Sequence, residues 1–202
     1  PELTAAIERT WGRLREERNP DRQRVIQEMT AVVRRGKGNP VNGQRMFKVH
    51  CAQCHKIYGH GMDIGPDITG NGRSDLDQIL SNVLDPNLVI GSGYITRTVW
   101  THDSQVFNGI LVEDSPERVV LKIAGSSEPQ VIPRSEIEEM RVSEMSLMPE
   151  GVEEGMTRQE FRDLIAFLLT EKPPVPWEQV PDPQDSEAAS GEPKSNADSG
   201  AR

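Results

Sequence analysis

The stretch GQRMFKVHCAQCHKIYGHGMDIGPDITG, residues 43–70, decides how this chain folds. It contains the two cysteines of the chain, Cys51 and Cys54, and His55 follows the second directly. Apolar residues at Met46 and Phe47 predict a helix over residues 42–51, so the cysteine pair comes at the end of a helix. The chemistry of this pentapeptide determines most of what the sequence can say about function.

Three interpretations compete for the Cys-x-x-Cys-His pentapeptide. A disulfide or thioredoxin-like redox pair needs the cysteines at the start of a helix that follows a strand, and no strand is predicted before Cys51. A zinc site needs two further ligands; His50, His55 and His60 are available, but there is no second cysteine pair. Covalent attachment of haem c uses both thiols and places the adjacent imidazole below the iron. The pattern favours haem.

The rest of the chain divides into helical and β-rich parts. Helical spacing of apolar residues predicts four more helices, over residues 2–17, 21–35, 75–85 and 157–170. Short β-branched runs separated by turn residues predict about four antiparallel strands between residues 93 and 134. After Lys172 the composition changes to Pro, Ser, Glu, Asp and Gly, which is typical of disorder.

The spacing around the cysteines resembles the cytochrome c superfamily, in which a helix carries G-x-x-x-F-x-x-x-C-x-x-C-H. Gly43, Phe47, Cys51, Cys54 and His55 stand in that register. The resemblance implies one covalently bound haem c, with His55 as the proximal iron ligand. It also implies that a C-terminal helix, here residues 157–170, crosses closely at the small glycine.

The same resemblance implies the other haem-binding residues. Residues 65–70 fill the Gly-Pro-x-Leu-x-Gly turn of the family, in which the carbonyl of Pro66 accepts the proton of the histidine's free ring nitrogen. Arg73 falls where many members place an arginine near a haem propionate. Met148 lies in SLMPEG, the usual place of the methionine ligand, so the iron ligands are expected to be His55 and Met148. Met145 is the alternative ligand.

A narrower resemblance rests on the β-rich part and its surroundings. The chain is similar to the haem-binding domain found in Planctomycetes and Verrucomicrobia, which forms the C-terminal cytochrome domain of large dehydrogenase-like proteins. The shared motifs are DLD at 75–77, NVLDPN at 82–87, Gly93-Tyr94, IPR at 132–134 and SLMPEG at 146–151. Since Pro1 cannot start translation, we expect the chain to be a processed product or an excised piece of a longer protein.

These observations predict a mainly α protein: a cytochrome c-like helical haem fold with an inserted small antiparallel β domain. The expected parts are leading helices packed on the haem domain (1–39), the cytochrome c core (40–92 and 141–172), the inserted β domain (93–140) and a disordered acidic Pro/Ser-rich tail (173–202).

The resemblance implies a mono-haem cytochrome that transfers single electrons and is not an enzyme. Its expected partners are a fused or separate dehydrogenase domain as donor and a periplasmic acceptor, and its expected location is periplasmic or extracytoplasmic. One alternative is a haem-based gas sensor or ligand-binding protein with a displaceable distal methionine. In a third interpretation the β insert is a docking module and the haem is merely structural.

Charge and hydropathy exclude two other classes of partner. A net charge of −9 and a pI near 5.0 argue against nucleic acid, which needs a basic face. No apolar run approaches the roughly 18–20 residues of a membrane span. The acidic skew is strong between residues 111 and 160, with twelve acidic against five basic side chains. If that face docks a partner, the partner is expected to be basic.

Overall fold

The computed structural model describes residues 10, 12–70 and 73–181. Within these residues it has four α-helices: α1 (Pro20–Arg34), α2 (Pro40–His50), α3 (Leu76–Leu84) and α4 (Arg158–Leu168). The strands are β1 (Arg13–Leu14), β2 (Val89–Ile90), β3 (Thr96–Thr101), β4 (Val106–Asp114), β5 (Arg118–Lys122), β6 (Gln130–Pro133) and β7 (Ile137–Val142). No helix of the described part is long and apolar enough to cross a membrane.

Side chains that accept hydrogen bonds from free backbone N–H groups fix where the helices begin. Asn39 accepts from the N–H of Val41, and Pro40 occupies the first turn, where its missing N–H costs nothing. Asn19 and Asp75 cap α1 and α3 in the same way, each accepting from two backbone N–H groups of the first turn. Because every cap satisfies N–H groups that the helix leaves free, the helices begin at defined residues.

The crossing of α2 and α4 forms the centre of the helical core. Gly43 is buried in it, and a Cβ atom added there would lie 1.9 Å from the carbonyl oxygen of Asp163. One turn later, the rings of Phe47 and Phe167 lie 5.7 Å apart. Both phenylalanines and Phe161 are fully buried. The predicted crossing at the small glycine is therefore present, and it fixes the end of α2, where the cysteine motif begins.

The β-rich part is one five-stranded antiparallel sheet in the order β6-β5-β4-β3-β7. Its own apolar core consists of Val99, Val119, Leu121 and Ile132. The strands follow one another along the chain except that β7 returns to pair with β3. This return brings the end of the sheet back to its beginning, so the chain re-enters the helical part close to where it left.

The expectation of a mainly α protein is wrong. The described residues are 36% helical and 21% strand, which is a mixed α and β fold. The physical reason lies in residues 96–142, where β-branched side chains and turn residues build a full sheet with its own core. Helical spacing near the cysteines predicted the haem-motif helices, but it carries no information about the size of the inserted sheet.

The leading helix predicted over residues 2–17 is not continuous. Arg13–Leu14 is a short strand that pairs with β2, and Leu14 is 64% exposed rather than part of a buried stripe. Gly12 adopts a φ of +96°, which interrupts a helix, and it lies against the carbonyl oxygen of Ile90. Residues 1–9 and Trp11, which carry the rest of this prediction, lie outside the described residues.

The chain after Lys172 differs from the predicted disordered tail. Residues 173–181 pack on the helical core: Trp177 stacks on His60 with ring centroids 4.8 Å apart, and Val180 is 4% exposed. The side chain of Lys48 donates to the carbonyl of Val180. Composition predicted disorder because it averages over the segment and does not reveal that single apolar residues, here Trp177 and Val180, pack on the core. Residues 182–202 lie outside the described residues.

Candidate functional site

A cavity of about 310 Å³ lies where the cysteine motif meets the loop before α4. Cys51, Cys54 and His55 line it from one region, and Met148 lines it from residues 146–151, which we call the methionine loop. Met148 lies 93 residues after His55 in the sequence, whereas the other three residues belong to one pentapeptide. The structure therefore brings together the two thiols and both predicted iron ligands around one cavity.

The inserted sheet also contributes to the cavity wall. Ile110 of β4 and Tyr94, which precedes β3, line the cavity together with Ile64 and Pro66. Lys122 of β5 forms an ion pair of 3.0 Å with Asp63 in the loop that follows the cysteine motif. Sequence reasoning missed Tyr94 and Ile110 as site residues, because strand alternation shows that a side chain faces inward without showing what it faces.

The backbone around the cysteine motif holds the histidine in place. The N–H of His55 donates to the carbonyl of Cys51 over 2.9 Å, and the N–H of Gly65 donates to the carbonyl of Cys54 over 2.7 Å. Gly61 adopts a φ of +103° and passes close to the carbonyl of His55, where a side chain has no room. The turn and the following loop therefore form one compact unit.

The tautomer of His55 follows from its hydrogen bond. Its Nδ1 lies 3.0 Å from the carbonyl oxygen of Pro66, which can only accept, so Nδ1 carries the proton. Burial lowers the pKa of His55, while the hydrogen bond to Pro66 acts in the opposite direction. The neutral ring thus keeps an unprotonated Nε2, the form that binds a metal, and the carbonyl makes that nitrogen more basic.

The two thiols are free and uncharged. Burial raises the pKa of Cys51 to about 12, with a further contribution from Cys54, and burial also raises the pKa of Cys54. Redox-active cysteines instead have a lowered pKa. Within the described part of the chain, no three His, Cys, Asp or Glu side chains meet in a metal-binding cluster. The geometry gives no support to the redox and zinc interpretations.

The two candidate methionines occupy different environments. Met148 is partly buried on the cavity wall, and its N–H donates to the hydroxyl of Ser146 over 3.1 Å. Met145 is 57% exposed and is not among the residues that line the cavity. Of the two, only Met148 is placed to act at the cavity.

Arg73 lies away from the cavity wall. Its guanidinium stacks over the ring of Tyr58, 4.9 Å from the ring centre, and donates to the hydroxyl of Tyr58 over 2.8 Å. It also donates to the backbone carbonyls of Thr69, Leu168 and Thr170. In this structure Arg73 joins residues 58–69 to the end of α4.

The position of His50 in a helix and of His60 in a glycine-rich loop predicts that both side chains lie on the surface. His50 is instead half-buried and lines the cavity, and burial lowers its pKa against the opposing effect of Glu160. His60 is covered by Trp177. The position of His50, directly before Cys51 at the end of α2, is the sequence signal that could have placed it at the cavity.

Comparison with known proteins supports the same chemistry. Residues 40–97 match the family model of cytochrome c. This match supports a haem-binding domain of the cytochrome c superfamily, and with Cys51, Cys54 and His55 in sequence it implies covalently bound haem c. A search of curated proteins found no match.

The residues present fit that group. The thiols of Cys51 and Cys54 can form thioethers, Nε2 of His55 is available for the iron, and the thioether of Met148 is a soft second ligand on the same cavity. Gly65 lies against the imidazole, and a Cβ atom there would stand 2.6 Å from Cε1 of His55. The loop is therefore shaped around the orientation of this ring.

Proposed function

We propose that the chain is a mono-haem c-type cytochrome that transfers single electrons. The observation that carries the proposal is the single cavity lined by Cys51, Cys54, His55 and Met148. The match of residues 40–97 to cytochrome c supports it.

The ligand set distinguishes electron transfer from catalysis. When bound, haem c supplies an iron that changes between the ferrous and ferric states. His55 and Met148 would both hold the iron, which would leave no ligand position for a substrate. The domain itself is accordingly a carrier of electrons and not an enzyme. A methionine ligand also raises the reduction potential, which suits a carrier that accepts electrons from a dehydrogenase.

The protein's own contribution is to fix the ligands and exclude water. The Pro66 carbonyl sets the tautomer of His55, and the loop around Gly65 sets its ring plane. Apolar side chains of Ile64, Leu147 and Ile110 line the same cavity. A fixed and largely apolar environment would keep the ligands in place in both oxidation states.

The proposed donor is a fused or separate dehydrogenase domain, and the proposed acceptor is a periplasmic protein. The motifs shared with the Planctomycete and Verrucomicrobia haem-binding domain support this pairing, and covalent haem attachment outside the cytoplasmic membrane supports a periplasmic or extracytoplasmic location. The net charge of −9 favours a basic acceptor. Near Met148, Glu144 and Glu154 are exposed, whereas Glu153 is buried against Arg22.

Extraction of the purified protein with acidified acetone tests haem attachment. We expect the colour to remain with the polypeptide, because thioethers survive denaturation. The Cys51→Ala/Cys54→Ala variant serves as the control, and it should release any haem that it holds. Colour in the organic phase from the unaltered protein would overturn the proposal.

One observation favours the gas-sensor alternative as the second candidate. The methionine loop follows β7 after a few residues, and Ile110 of the same sheet lines the cavity, so a movement of the sheet can reach Met148. Carbon monoxide added to the reduced protein separates the two functions. An unchanged spectrum supports electron transfer, and prompt, tight binding supports a sensor.

A further inference from the structure

Asn87 makes two hydrogen bonds to the methionine loop. It lies shortly after α3 and is 7% exposed. Its Oδ1 accepts from the backbone N–H of Ser146 over 2.7 Å, and its Nδ2 donates to Oε1 of Glu150 over 2.6 Å. Because an N–H only donates and a carboxylate only accepts, both partners require this orientation of the amide.

The two residues to which Asn87 is bonded lie on either side of Met148 in the sequence. Ser146 lies two residues before Met148, and Glu150 lies two residues after it. Between them, the N–H of Met148 donates to the hydroxyl of Ser146, and Pro149 restricts the preceding residue to extended geometry. The amide of Asn87 therefore fixes both ends of the five-residue segment that presents the thioether.

Asn87 is itself held on a rigid support. The N–H of Leu88 donates to the carbonyl of Asp85 over 3.0 Å, which closes a turn around Asn87. Asp85 is 2% exposed and forms an ion pair of 2.8 Å with Arg15. On the far side of the loop, Arg22 of α1 lies 4.0 Å from the second carboxylate oxygen of Glu150. The loop is thus connected to two elements of the helical part.

We propose that Asn87 is a positioning residue that holds Met148 in the geometry needed to bind the haem iron. The proposal rests on the function proposed above. Asn87 does not line the cavity and so acts through the loop, by keeping its two ends at a fixed separation. Without this constraint the thioether leaves the iron more often, and an external ligand competes with it more successfully.

The Asn87→Asp variant tests the role with a nearly isosteric change. At pH 8 the new carboxylate still accepts from Ser146 but faces the carboxylate of Glu150, so one bond is replaced by repulsion. We expect the weak long-wavelength band of sulfur-bound ferric iron to be lost or reduced. We also expect imidazole to bind the ferric protein roughly tenfold more tightly or better, as the loss of a bond to a charged group predicts. Asn82→Asp, an exposed residue of α3, makes the same chemical change and should alter neither result.

The Asn87→Asp/Glu150→Gln double variant separates positioning from folding. It reverses the direction of the hydrogen bond, because the glutamine amide donates to the aspartate, and it should restore the band and the imidazole affinity. If Asn87→Asp leaves the band and the affinity unchanged, Asn87 does not position Met148. If the double variant fails to restore them, the effect of Asn87→Asp belongs to general stability and the inference is also overturned.

The unaltered protein distinguishes this failure from failure of the proposed function. Absence of the sulfur band in the unaltered protein contradicts ligation by Met148 itself, and the role of Asn87 falls with it. Presence of the band there, together with an intact band in Asn87→Asp, overturns only the positioning role.

Discussion

The α carbon of Gly43 lies so close to Asp163 that an added Cβ atom would stand 1.9 Å from the carbonyl oxygen of that residue. A side chain at residue 43 would force α2 and α4 apart, because the contacting carbonyl belongs to the backbone and cannot rotate away as a side chain can. We expect Gly43→Ala to lower the free energy of unfolding by roughly 3 kcal/mol, measured by thermal or denaturant unfolding. Gly70→Ala, where an added Cβ atom meets nothing within 4 Å, is the control and should change little.

Gly65 also lies too close to a neighbour for any side chain. An added Cβ atom there would lie 2.6 Å from Cε1 of His55. Gly65→Ala should displace the imidazole from the carbonyl of Pro66 while the thioethers keep the haem attached. Loss of such a supporting bond typically weakens a metal site about 10- to 100-fold. The ferric spectrum should therefore shift towards a high-spin form. A spectrum identical to that of the unaltered protein would show that this packing does not orient the ligand.

These contacts show which parts of the fold and of the site could be predicted from the sequence. The helix crossing followed from the resemblance to cytochrome c, which Gly43, Phe47 and the Cys-x-x-Cys-His register carry. The hydrogen bond between His55 and Pro66 followed from the resemblance in residues 65–70. Tyr94, Ile110 and Asn87 could not be predicted in this way. Their roles depend on how the sheet and the turn after α3 dock on the cavity, and no local pattern encodes docking.

Arg22 and Glu153 form a buried ion pair of 3.1 Å, with side chains that are 11% and 7% exposed. Arg22→Leu should lower the free energy of unfolding by about 3–5 kcal/mol, since it leaves a buried carboxylate without its partner. Arg24→Leu removes an exposed arginine of the same helix and should cost less than about 1 kcal/mol. The double variant Arg22→Leu/Glu153→Leu should be more stable than Arg22→Leu alone; a less stable double variant would contradict this account.

Trp177 covers the end of the helical core, with its ring 4.8 Å from that of His60 and 6.2 Å from that of Phe47. Trp177→Ala should reduce stability by about 2 kcal/mol, because it removes a large apolar surface and two ring contacts. The neighbouring Glu178→Ala variant should stay within about 0.5 kcal/mol of the unaltered protein. Equal stability of the two variants would mean that residues 173–181 behave as the disordered tail that composition predicted.

Met148 and Met145 provide the sharpest test of the site, because they lie three residues apart and only Met148 lines the cavity. Met148→Ala should leave the haem attached through Cys51 and Cys54 and remove the long-wavelength band of sulfur-bound ferric iron. The reduction potential should fall, since a soft ligand that favours the ferrous state is lost. Met145→Ala, at a side chain that is 57% exposed, should preserve both the band and the potential. If the two variants exchanged these behaviours, the iron ligand would be Met145, and the cavity as described would not be the haem site.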